Sequence, residues 1–276
     1  MQISKWAVIT AAAAFVFLGT SCAKLKSRDE MNKGVQAYKN AKYVDAVNHF
    51  KSAVELDPTN QNAQLYLATS YMTQWVPGAD SPENNRAQKA AKQEFLKVLD
   101  KDPQNKIALA SLASMAYSQA GFGTPEQKQQ ALEEAQKWNL KRVEVDPKDS
   151  EAYYSLGVIA WAEAYPNIQM ERVKLNMKPD DPGPIKNEKV RDEMKQKYGK
   201  TVEDGLSSLQ KAIDLDKEND DAMTYLNLLL RKKADFEDTP EAAKADIAKA
   251  EDWANKSLDI KKVKATRPQA KQQQTS

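Results

Sequence analysis

The stretch Val54-Glu55-Leu56-Asp57-Pro58 returns as Val98-Leu99-Asp100-Lys101-Asp102-Pro103 and again as Val143-Glu144-Val145-Asp146-Pro147. A fourth copy, Ile213-Asp214-Leu215-Asp216-Lys217, has Lys in the proline's place. A phrase that recurs at long, roughly regular intervals is the mark of a repeat architecture, in which each unit buries its apolar face only against its neighbours. Pro forbids helix continuation, so each Asp-Pro reads as the stop of one unit before the next begins. Counting back from Pro58 gives a first unit of residues 27–60. Within it Gly34, Ala37, Ala46 and Ala53 are small, Phe50 is large, and Pro58 closes the unit. Small residues at Gly34 and Ala46 suit two antiparallel helices that cross closely, with Phe50 filling the space between hairpins.

The order small, small, small, large, small, Pro resembles the tetratricopeptide repeat. The next unit, 61–105, holds Leu67-Ala68, Tyr71, Ala91, Phe95, Val98 and Pro103 in the same order. The third, 106–149, has Leu112-Ala113, Ala135 and Pro147, but departs from the pattern at Asn139 and Arg142, for which Trp138 and Leu140 are expected to compensate. The fourth, 150–219, has Leu156-Gly157, Gly205, Leu209 and Ala212; the fifth, 220–262, has Met223, Leu226, Leu230, Ala250, Ala254 and Leu258. The resemblance implies an all-α fold, a right-handed tetratricopeptide helical-hairpin solenoid of about five repeats.

Units two to five exceed the first in length, and the surplus falls each time between the two helices of a unit. Ser81-Pro82-Glu83, Thr124-Pro125-Glu126 and Thr239-Pro240-Glu241 occupy three of these places. Ser or Thr caps a helix, Pro suits its first position, and Glu complements the positive end of the dipole, so the second helices are expected to start early there. Thr124 with Gln127 makes a capping box. In the fourth unit Asp180-Asp181-Pro182-Gly183-Pro184 is a breaker, and Ile185 to Tyr198 reads as an extra helix. Residues 263–276 form a Gln-rich tail without apolar periodicity, expected to be disordered.

Before the repeats, residues 1–21 read as a signal peptide. Lys5 supplies its basic start, Trp6 to Leu18 its apolar stretch, and Gly19-Thr20-Ser21 its small-residue exit. Thirteen apolar residues rise about 20 Å as a helix, short of the roughly 30 Å hydrocarbon core. The single Cys, Cys22, follows directly. This resembles a bacterial lipoprotein signal, in which that Cys is acylated and becomes the first mature residue, followed here by a short linker, 22–26. Gly19 departs from the aliphatic residue that such signals favour three places before the Cys. The same bond also suits ordinary signal peptidase, which would leave a secreted chain with a free thiol. Ala23 leans toward the outer membrane over the inner.

The chain's charge is nearly balanced, with 41 basic and 39 acidic side chains, which argues against a nucleic-acid partner. One Cys and one His exclude a disulfide scaffold, a Cys/His zinc site and a Cys-X-X-Cys redox centre. No metal or cofactor is expected, and no catalytic residue is identified. His49 reads as an ordinary surface or inter-helix residue, Asp180-Asp181 as a turn and not a calcium loop, and Gly121-Phe122-Gly123 as a turn and not a phosphate loop. In tetratricopeptide proteins the first helices line a groove, and the register puts Tyr38, Met72, Tyr117, Trp161 and Arg231 there, one per unit, with Tyr154 beside them. Large aromatics with a polar handle suit the grip of a partner's segment. The competing reading is that these side chains pack against neighbouring helices. Met31 and Leu65 stand where the two-carboxylate clamp of chaperone-docking repeats needs polar donors, so that ligand is not expected. The function that follows is a non-enzymatic scaffold or adaptor at a bacterial envelope, binding envelope proteins or peptides and held to the membrane by a lipid on Cys22. The alternatives are a cell-wall-associated enzyme accessory, or a small-ligand binder, using the 162–204 insertion or an aromatic pocket.

Overall fold

The computed structural model describes residues 5–178 and 181–267, with side chains from residue 22 onward. The expected signal sequence and the tail beyond 267 lie outside the described side chains, as does Asp180. Among the described residues ten helices run in order: α1 (Lys5–Lys39), α2 (Tyr43–Leu56), α3 (Gln61–Gln74), α4 (Pro82–Lys101), α5 (Lys106–Gln119), α6 (Pro125–Val145), α7 (Ser150–Lys174), α8 (Glu188–Leu215), α9 (Asp220–Ala234) and α10 (Pro240–Thr266). Among the described residues there are no strands. The fold is all-α and built from successive helical hairpins. It divides into two compact units, residues 1–112 with 121–123 and residues 113–120 with 124–276, so the division passes through α5.

The recurring Asp-Pro phrase forms the same turn four times. Asp57, Asp102, Asp146 and Asp216 each accept a hydrogen bond from the backbone N–H two residues on, at 3.0–3.3 Å. Three residues after each Asp comes a helix cap: Asn60, Asn105, Asp149 and Asn219 accept from the N–H groups of Ala63, Ala108, Ala152 and Ala222, at 2.8–3.1 Å. One short polar side chain thus ends a helix and the next one starts its successor, satisfying backbone groups that a helix terminus leaves unpaired. Lys217 replaces proline in the fourth turn without changing it, because the two polar caps are kept.

In the first unit Gly34 lies against the ring of Phe50. An added Cβ would stand 2.6 Å from Phe50 Cε1, so only glycine admits this approach of α1 to α2. Phe50 is fully buried and stacks on Tyr66 of α3, its ring centroid 5.3 Å away, which couples the first hairpin to the second. Ser27 adds a buried hydrogen bond to the carbonyl of Ala53, 2.8 Å. His49 joins the same hairpin through Nδ1, 2.7 Å from Glu30. This contact, followed by Lys33, holds the Glu30 carboxyl below its ordinary range.

The second helices do start at the Ser/Thr-Pro-Glu sites. Ser81, Thr124 and Thr239 cap α4, α6 and α10 with bonds of 3.2–3.3 Å to the N–H three residues on. Gln127 returns the bond to Thr124 and completes the capping box. The residues before α4 are organised by the buried Asn84, whose side chain bonds the N–H and carbonyl of Val76 and the carbonyl of Ala79.

Three expectations are corrected. The helix sought from Ile185 to Tyr198 is the early part of α8, which starts at Glu188 and continues unbroken to Leu215, while Ile185 is buried in the connection before it. Leu140 does not compensate for Asn139 and Arg142, since it faces solvent at 51% exposure. A polar network does so instead. Asn139 is buried, donates to the carbonyl of Ala135 and accepts from Arg142, whose guanidinium makes two bonds of 3.1 Å to Asp149. Arg142 thereby ties the end of α6 to the cap of α7. Finally, α10 continues to Thr266, four residues past the expected end of the last unit at 262, and Arg267 makes a forked ion pair with Glu218.

Candidate functional site

The largest core of the second unit lies between α7, α8, α9 and α10 and is built on Leu206, Leu209, Leu226, Leu229 and Ile168. Gly157 and Gly205 let α7 and α8 cross at short range: a Cβ on Gly157 would reach 2.2 Å from Leu209 Cγ, and one on Gly205 2.6 Å from Ala160 Cβ. Leu229 and Leu230 of α9 are buried in this core, and Leu228 is half-buried.

On the first helices of this unit the structure gathers aromatic rings. Tyr225 of α9 meets Tyr154 and Trp161 of α7 edge-on, with centroids 5.9 and 5.6 Å apart. Trp161 stacks on Tyr165 one helical turn along, at 4.8 Å. Tyr154, Trp161 and Tyr225 are half-buried against the core, whereas Tyr117 of α5 keeps 39% of its surface exposed. Burial, reinforced by Tyr225, pushes the Tyr117 and Tyr154 hydroxyls above their ordinary value, so both remain neutral hydrogen-bond groups at any physiological pH. Arg231 bonds Asn227 at 3.0 Å and lies half-buried on the same helix as Tyr225.

Two residues of this cluster, Tyr165 and Tyr225, escape a register count that assigns one groove position to each unit. The available signal is spacing for Tyr165, which follows Trp161 by four residues; Tyr225 carries no such signal, and only the packing of α9 on α7 brings it in. The remaining predicted residues, Tyr38 and Met72, belong to the first unit. The hydroxyl of Tyr38 lies 3.0 Å from Thr73 Oγ1 on α3 and its ring meets Tyr43 edge-on at 5.3 Å, and half-buried Met72 precedes Thr73. Cys22 is exposed on α1.

The connection from α7 to α8 is held by a buried ion pair. Arg172 and Asp235 are each 1% exposed and bond directly, although 63 residues separate them. The other end of the guanidinium donates to the carbonyls of Lys178 and Asp181, at 2.9 and 2.6 Å. Ile185 N–H reaches the Asp235 carbonyl at 3.1 Å. Asp235 also takes Lys232, at 2.8 Å, so one carboxylate serves two buried cations. Burial pushes the Lys232 ammonium below its ordinary value despite this partner.

The sequence matches no family model and no curated protein. Solved structures do resemble it. A double mutant of MamA from RS-1 aligns with a TM-score of 0.58 at 14% identity, covering 88% of this chain and 98% of that one. MamA from Desulfovibrio magneticus RS-1, from residue 41 to its end, gives 0.55 at 15%, covering 86% and 96%. YrrB, described as a tetratricopeptide protein with an unusual peptide-binding site, gives 0.50 at 16%, covering 84% and 90%. At such identities the likeness speaks for the fold, and together with the repeated hairpins it gives this chain the tetratricopeptide fold.

Proposed function

We propose that the protein is a non-enzymatic interaction scaffold of the bacterial cell envelope, gripping a segment of a partner protein with the aromatic face of α5, α7 and α9. The observation that carries this reading is the convergence of Tyr117, Tyr154, Trp161 and Tyr225 on first helices. Tyr154, Trp161 and Tyr225 are braced against the core and against one another, while Tyr117 stays open to solvent. Rigid aromatics lose little conformational entropy when they meet a partner, which makes such a face a strong anchor. Arg231 on α9 supplies a cation for an acidic residue of the bound segment. Similarity to YrrB agrees with a peptide as the occupant.

Location rests on the amino-terminal sequence. Gly19-Thr20-Ser21 before an exposed Cys22 supports export, with a lipid on that thiol as the tether. Crosslinked co-purification from native membranes tests both parts. The intact protein is expected to recover a defined set of envelope proteins, and Tyr117→Ala/Trp161→Ala to lose that set at unchanged helicity. Cys22→Ser is expected to leave the membrane fraction and to abolish labelling by a fatty-acid analogue. An identical set from the double variant and the wild type would reject the aromatic face.

A further inference from the structure

A cavity of about 180 Å³ opens between α7, α9, α10 and the connection that follows α7. One side is apolar, formed by Trp161, Tyr165, Leu228 and Ile247. The other holds three cations, Arg172, Arg231 and Lys232, and two carboxylates, Asp181 and Asp235. Among the described residues of this wall, three cations face two carboxylates. Asp235 is shared by Arg172 and Lys232, and Asp181 accepts the backbone N–H of Lys178 at 2.8 Å. The wall therefore carries one positive charge in excess, with two of its cations buried, and a buried charge without a counter-charge is costly.

Hydrogen bonding points the same way. Two buried polar atoms on this lining have no partner, Trp161 Nε1 and Arg172 Nε, and both are donors. An occupant that satisfies them brings acceptors, and one that balances the charge brings an anion. The flat stacked pair Trp161–Tyr165 and the two aliphatic side chains ask for an apolar or aromatic body. The volume is below the roughly 300 Å³ at which sites for drug-sized ligands begin, so that body is small.

We propose that this cavity binds a small monocarboxylate carried on an apolar or aromatic group, with the carboxylate at the Arg172–Lys232–Arg231 end and the apolar group along Trp161 and Tyr165. The site shares Trp161 and Arg231 with the aromatic face proposed above, but it is completed by Tyr165, Arg172, Leu228, Lys232 and Ile247 and uses none of Tyr117, Tyr154 and Tyr225, so ligand binding and partner capture are read separately. The same chemistry is offered by a free organic acid or by the C-terminal carboxylate of a chain ending in an aromatic residue.

The test is calorimetric titration of the full-length protein with phenylacetate, with its neutral analogue phenylacetamide, and with a tripeptide ending in phenylalanine. Phenylacetate is expected to bind at least tenfold more tightly than phenylacetamide. Arg231→Gln, at the half-buried rim, is expected to weaken phenylacetate about tenfold, and Lys232→Met, which removes the excess cation, to abolish it, both with helicity retained. Binding of phenylacetate alone supports a free acid as the occupant, and equal binding of the tripeptide supports a chain terminus. The proposal is overturned if neither carboxylate binds, if phenylacetamide binds equally, or if both folded variants bind phenylacetate like the wild type.

Discussion

Gly157→Ala adds one methyl group where α7 crosses α8. The added carbon would stand 2.2 Å from Leu209 Cγ and 2.6 and 2.8 Å from its two methyls. Carbon atoms rest about 3.5–4.0 Å apart, so the helices or Leu209 must move by more than an ångström. Leu209 is fully buried in the core shared by α7, α8, α9 and α10 and has no room to retreat. Overpacking of this kind costs about 1–3 kcal/mol, and the severity of the contact selects the upper end. Alanine's better helix propensity returns about 1 kcal/mol, leaving a net loss of about 2 kcal/mol. Gly199→Ala on α8 is the internal control. Its added carbon would meet nothing nearer than Lys195 Cγ at 3.7 Å, so it should gain about 1 kcal/mol from propensity alone. Urea unfolding followed by circular dichroism should therefore separate the two variants by about 3 kcal/mol, on opposite sides of the wild type. If Gly157→Ala matched or exceeded the wild type, the close crossing of α7 and α8 would be refuted.

Two further perturbations address the buried ion network. Arg172→Met leaves Asp235 with Lys232 alone and strips the carbonyls of Lys178 and Asp181 of their donor, so a loss of about 3 kcal/mol is expected, with faster trypsin cleavage after Lys186. Unchanged cleavage would show that Arg172 does not hold the connection. For Lys232 the sign follows from its lowered folded-state value. The unfolded chain, at about 10.5, holds the proton more tightly, so stability rises with pH between the two values and the penalty is complete below the lower one. Wild-type stability relative to Lys232→Met should thus increase from neutral pH toward about pH 10, and a flat difference would contradict the burial cost.

The hairpins were legible because their punctuation is local. Asp57, Asp102, Asp146 and Asp216, each followed three residues later by Asn or Asp, make every turn from side chains adjacent in sequence. Phe50 against Gly34 was legible for a related reason, since size alternation survives in the sequence. The network of Asn139, Arg142 and Asp149 was not, because a polar side chain in a core position has no meaning until its partner is placed. Arg172 and Asp235 are the extreme case, a pair joined across 63 residues by the packing of the insertion on α9. Of the candidate site, Tyr117, Tyr154 and Trp161 emerged from the repeat register. Tyr225 and Tyr165 did not, since one helix face of a unit can present two or three rings where the register counts one.

The grip of a partner on the aromatic face is tested most directly by photo-crosslinking in living cells. A photoreactive residue replaces Tyr117 in one variant, half-buried Arg231 in a second, and exposed Lys211 on α8 in a third. Capture of the same defined protein from Tyr117 and Arg231, and none from Lys211, is the result expected of a partner lying along α5, α7 and α9. Capture from Lys211 alone, or equally from all three, would contradict it.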